Sequence, residues 1–204
     1  MKAANDFRVL QDDAAPRRFS RRELAQALLA AMAAGVLSPL SSVAHPLRKH
    51  LLNNPLLDSA DLHLSAETRK PLFLSKQRLA ALDVLSEAIV PGSRQAQSAD
   101  FIDLLLSADS REVQQEFLGA LSTIESVSHR EYHAEVVGLS RDQLHGLLVA
   151  LSPAGSANHA HFNRLKDWIA GAYYSSEIGM RELGWTADRV FSSFPGCSHT
   201  DGHG

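Results

Sequence analysis

The sequence predicts an all-α protein, a small irregular helical bundle preceded by a signal peptide and an extended linker. Leu and Ala recur in nearly every segment while aromatic residues make up only 6% of the chain, a balance that favours helices over strands. Apolar residues return at helical spacing behind serines able to cap a helix. Strand-like alternation with hairpin turns appears nowhere, and neither does an internal repeat of fixed period.

Residues 1–44 read as an address. A polar stretch carrying Arg17, Arg18, Arg21 and Arg22 is followed by a nearly uncharged run from Leu24 to Leu40, the order of an n-region and an h-region. The run is about 17 residues long, rich in Ala, and contains Gly35 and Pro39. That is marginal against the roughly 20 strongly apolar residues a spanning helix needs, so a permanent anchor is the second choice. Ser20-Arg21-Arg22-Glu23-Leu24 resembles a twin-arginine export signal. Arg21 and Arg22 are the expected receptor contact, because two guanidiniums offer fixed donor forks to carboxylates. The plainer alternative is that Ser20 only caps an amphipathic helix. Ser42-Val43-Ala44 fits a small-x-small cleavage site, so the mature chain would start at His45. Removing residues 1–44 takes six basic and four acidic residues, leaving 14 against 19 and a net charge of −5.

Residues 45–74 mix Pro46, Pro55 and Pro71 with Asn53 and Asn54 and are expected to form an extended linker or partner-wrapping segment with little regular structure. The helical domain is placed at 75–193. Ser75 caps a helix to Ile89, stopped by Pro91-Gly92. Phe101, Leu104 and Leu105 suggest a short helix, and Val113, Phe117, Leu121 and Ile124 a longer one from about Ser110 to Val127. Ser140 and Gln143 pair as a capping box ahead of a helix closed by Pro153 and Gly155. The longest pattern begins near Asn158, aligns Phe162, Leu165, Ile169 and Ala172 with Trp168 and Tyr173 beside them, and is interrupted by Gly179. Residues 194–204 read as a flexible tail.

A net charge of −3 and a pI near 6.3 provide no broad basic field for phosphates, which argues against nucleic acid. With Cys197 as the single cysteine, no internal disulfide and no Cys-based zinc or iron–sulfur site can be completed within the chain. Glycine-rich dinucleotide and phosphate loops, a nucleophile elbow and an HExxH pair are all missing from the sequence. No catalytic, cofactor-binding or metal residue is therefore assigned. His159, His161, His199 and His203 leave open a stand-alone exported protein binding a metal or small ligand, although residues two apart on a helix diverge by about 200°. Tyr132, His133 and Glu135 are expected in an irregular segment where loop packing is their role. Cys197 is either an inter-subunit disulfide partner or a buried apolar residue.

Four pieces carry a family resemblance: Leu79 to Gly92 ending in Ile89-Val90-Pro91-Gly92, then Phe101-Ile102-Asp103, the Gly171 to Trp185 stretch, and Pro195-Gly196-Cys197. Together with the leader they resemble the gluconate 2-dehydrogenase subunit 3 family, over roughly Ser75 to Cys197. The sequence departs from the family where Ser93-Arg94-Gln95-Ala96-Gln97 follows the Pro-Gly; an acidic loop containing Pro-Gly-Ala is common there. The resemblance implies a non-catalytic small subunit with no cofactor of its own. FAD would belong to a large subunit resembling glucose–methanol–choline oxidoreductases, and haem c to a possible cytochrome c subunit. It also implies passage through the twin-arginine translocase to the periplasm and association with the inner membrane through the complex. Tyr173, Tyr174, Glu177, Trp185 and Cys197 are the expected partner-binding residues.

Overall fold

The computed structural model describes residues 20, 21, 23, 47–66 and 70–183. The cleavage site at Ala44 and His45, the apolar run from Leu24, and the tail with Cys197 lie outside the described residues. Among the described residues the regular structure is helical, and no helix is long and apolar enough to cross a membrane.

The segment 45–74 departs from the expectation of a linker. It holds α1 (Arg48–Leu51) and α2 (Asn54–Ser65). Asn53 and Pro55, read as breakers, are start signals: the Asn53 side chain accepts from the Leu56 N–H, and Pro55 occupies the first turn, where a missing N–H costs nothing. Leu57, Ala60 and Leu64 then fall on one face and enter the core. Residues 70–74 are irregular before α3 (Lys76–Ile89), which Ser75 caps as expected.

A turn-rich loop leads into α4 (Ser98–Ser107), a helix buried along most of its length. Next comes α5 (Arg111–Tyr132), which is longer than its pattern suggested and outruns every other helix described. It takes in Tyr132 and ends on His133 in the left-handed region at φ 54°. A 3-10 turn at Val136–Gly138 precedes α6 (Arg141–Leu151), which starts on the reciprocal Ser140–Gln143 capping box.

The organising helix is α7 (His159–Tyr174), which packs against α3, α4 and α5 and buries Phe162, Leu165, Trp168, Ile169, Ala172 and Tyr173. Each large side chain so buried contributes about 1.5–3 kcal/mol. Trp168 meets Phe117 edge-on at 5.6 Å and His50 at 6.2 Å, so one ring joins α7, α5 and α1. Helix α7 stops at Ser175-Ser176, not at Gly179, because the Ser176 hydroxyl caps a new helix, α8 (Glu177–Glu182), by accepting from the Gly179 N–H.

Candidate partner-docking site

The structure brings together two of the pieces that carried the resemblance. Beyond α3, Gly92 adopts φ +91°, and a Cβ there would sit 3.2 Å from the Tyr173 hydroxyl oxygen. The backbone conformation therefore calls for glycine, and any side chain there would also press on the tyrosine. Glu87 fixes the turn by accepting from the N–H groups of Gly92 (3.1 Å) and Arg94 (2.8 Å). Those two bonds hold its carboxyl below the ordinary range. At the other end of Tyr173, a Cβ on Gly179 would lie 2.4 Å from the Tyr173 carbonyl oxygen, so α8 folds back onto α7 at the closest approach a backbone permits.

Tyr173 is accordingly an internal strut and not a surface residue: it is 1% exposed, and burial raises its phenol above the ordinary value. Tyr174 is the half of the pair that reaches solvent, stacked edge-on against Tyr173 at 5.2 Å. Glu177 pairs along α8 with Arg181, and Leu183 stands exposed beyond it. Trp185 lies outside the described residues, as does Cys197. The leucines of the upstream segment divide similarly. Leu47, Leu57, Leu64 and Leu74 are core, whereas Leu52, Leu62 and Leu72 are exposed.

Two carboxylates that sequence reasoning missed fasten the upstream segments to the bundle. Asp103 on α4, 1% exposed, accepts from the N–H groups of Leu72 (2.6 Å), Phe73 (3.1 Å) and Leu74 (2.6 Å). Asp109 receives His50 Nε2 at 2.9 Å, the Ser110 N–H and the Lys49 ammonium. Burial raises the Asp109 carboxyl, but these three bonds outweigh it and the net shift is downward. Burial lowers the His50 imidazole against the opposing pull of Asp109.

The segment read as a leader touches the helical bundle through Arg21. Ser20 and Glu23 exchange capping bonds, Glu23 N–H to Ser20 Oγ at 3.2 Å and Ser20 N–H to Glu23 Oε2 at 3.0 Å. Arg21 is 7% exposed. Its N–H donates to the Asp61 carboxylate, Nη2 donates to the Ala96 carbonyl at 2.9 Å, and the guanidinium lies 3.9 Å from the Phe101 ring centre. Arg22 and Leu24 are outside the described residues.

Of the four histidines, His199 and His203 lie outside the described residues, His159 Nε2 is tied to Asn163, and among the described residues no group of three His, Cys, Asp or Glu side chains is placed to hold a metal. A polar cleft of about 330 Å³ opens beside α3 and α5, lined in part by Arg78, Ser122, Glu125 and Glu135. Its serines are committed, Ser75 to the Arg78 N–H, Ser122 to the Arg78 guanidinium and Ser126 to the Ser122 carbonyl. Burial raises Glu125 within it.

The model of the family described as Gluconate 2-dehydrogenase subunit 3 matches residues 76–189, more than half of the chain. The chain belongs to the gluconate 2-dehydrogenase subunit 3 family. Its members are subunits of a multi-subunit dehydrogenase, so a dehydrogenase partner follows in general terms. The matched span of this family member starts at α3 and includes the Gly92 loop, α4, α7 and α8. No curated protein and no solved structure matches the chain.

Proposed function

We propose that this chain is the non-catalytic small subunit of a flavin-dependent sugar or sugar-acid dehydrogenase. It binds the folded flavoprotein in the cytoplasm, carries it through the twin-arginine translocase, and remains bound in the periplasm at the inner membrane. The family membership carries the reading of a subunit. The order Ser20-Arg21-Arg22-Glu23-Leu24 ahead of an apolar run supports the export route. A large subunit that acquires FAD must fold to hold it, so a partner lacking a leader crosses only as a folded passenger. FAD belongs in that glucose–methanol–choline-like subunit, and haem c in a cytochrome c subunit that takes the electrons.

On this side of the interface, Tyr174 and Leu183 provide apolar surface next to the Glu177–Arg181 pair, with Trp185 and Cys197 following in sequence. An apolar centre with a charged margin suits a lasting interface.

The test is co-expression of the chain with its flavoprotein and assay of dehydrogenase activity in periplasmic and cytoplasmic fractions. Arg21→Lys with Arg22→Lys keeps charge but loses both donor forks, and exported activity is expected to fall at least about tenfold while cytoplasmic activity accumulates. Undiminished export of active enzyme by the double variant overturns the reading.

A further inference from the structure

The strongest unexplained feature of the molecule is a charged side chain of the leader buried against the domain it precedes. Three groups far apart in sequence converge on Arg21: Asp61 from α2, the Ala96 carbonyl from the loop before α4, and the Phe101 ring from α4. A planar cation over an aromatic face, with a carbonyl at its edge and a carboxylate at its backbone, is a recognition arrangement specific to arginine. We propose that the helical domain carries a built-in arginine slot whose ligand is the leader's own Arg21, so that the folded free chain withholds one of its twin arginines. That the withheld residue is one an export receptor needs rests on the export reading above. That the slot holds Arg21 does not.

The contact is built to be released. Of the guanidinium's two terminal nitrogens, Nη2 is bonded, whereas Nη1 is buried with no hydrogen-bond partner among the described residues. Burial takes the guanidinium down to about 10, with Asp61 opposing, so it remains charged at neutral pH while its bonded terminal nitrogen meets a carbonyl and not a carboxylate among the described residues. Asp61 is spent on the backbone N–H of Arg21, where burial raises its own carboxyl. A receptor that presents carboxylates to both terminal nitrogens offers what the slot leaves unmade. The slot therefore favours a docked leader in the free chain and yields to a better acceptor.

The experiment uses the purified full-length precursor and phenylglyoxal, which modifies accessible guanidinium groups, with labelling of each arginine followed by peptide mass spectrometry. Arg130, whose side chain is 63% exposed, is the internal reference. Arg21 is expected to label about tenfold or more slowly than Arg130. Asp61→Asn and Phe101→Leu are each expected to close most of that gap without changing the rate at Arg130. Arg21 labelling as fast as Arg130 in the unaltered precursor, or equally slow labelling in both variants and the unaltered chain, overturns the slot. Asp61 is only partly buried, so its variant keeps the test decisive if Phe101→Leu does not fold. Export of the Arg21→Lys, Arg22→Lys double variant, followed in parallel, bears on the export reading alone: normal export with Arg21 protected in the unaltered chain removes that reading and supports the slot.

Discussion

Two segments upstream of the matched family region are fastened to the same helix, α4, and the two attachments differ in how completely they are made. The strap at 70–74 gives three consecutive N–H groups to the buried carboxylate of Asp103. Arg21, in the segment read as a leader, places its guanidinium on Phe101, two positions from Asp103, with one terminal nitrogen bonded and the other without a partner among the described residues. A buried charge with its bonds satisfied is costly to disturb, and one left partly unmade is held loosely. The same helix therefore holds a permanent strap and a releasable latch, on side chains two positions apart that diverge by about 200°.

Removing the strap's carboxylate is the change with the largest expected effect. Asp103→Ala leaves three donors without their acceptor and is expected to lower stability by about 3 kcal/mol, read from a urea melt of the purified chain. A loss within 1 kcal/mol or so would erase the distinction between strap and latch.

The His50–Asp109 clasp lies between these extremes. Burial sets the His50 imidazole below its ordinary value of 6.5, so as pH falls through that value the unfolded chain takes up the proton first. Its contribution to stability is complete above about 6.5, declines as pH falls through it, and levels off below the folded value. Asp109, held low on balance, acts in the same direction at more acid pH. Thermal melts between pH 7.5 and 5 should show the decline, and His50→Gln should flatten it. A melting temperature that rises across this window would contradict the assignment.

The smallest effect is expected at the latch. Asp61→Asn should change global stability by less than about 1 kcal/mol even though it frees the leader. A melt as damaged as that of Asp103→Ala would make Arg21 a structural member of the core.

The features legible in the sequence are those written over a few residues. Ser75, Ser110 and the Ser140–Gln143 box each act on an N–H within three positions, and each begins a helix where expected. The same local chemistry was misread at Asn53 and Pro55, because a helix start and a chain break use the same residue types. The Gly179 break was misplaced for a different reason: that glycine answers to the Tyr173 carbonyl against it, not to the end of a helix. Tyr173 reads as surface in the sequence because an aromatic at a helix end carries no mark of the loop that covers it. The Gly92 turn lies 81 positions earlier in the chain. The attachments at Asp103, Asp109 and Asp61 span 29 to 60 residues, and no periodicity encodes such pairs. For Phe101-Ile102-Asp103 the sequence supplied the resemblance, and the structure supplies reasons for two of its side chains.

The placement of α7 has a consequence for biosynthesis. Arg21, Asp61, Ala96 and Phe101 are all synthesised before the ribosome reaches His159, the first residue of α7. Yet α4, which carries Phe101, is packed on α7. Between the synthesis of Phe101 and that of Tyr174, a nascent chain thus possesses every group of the latch without the complete helix that steadies them. The support for Phe101 is therefore complete only once α7 has packed on α4, so the hold on Arg21 is expected to follow the folding of the bundle and not the synthesis of the slot's own residues.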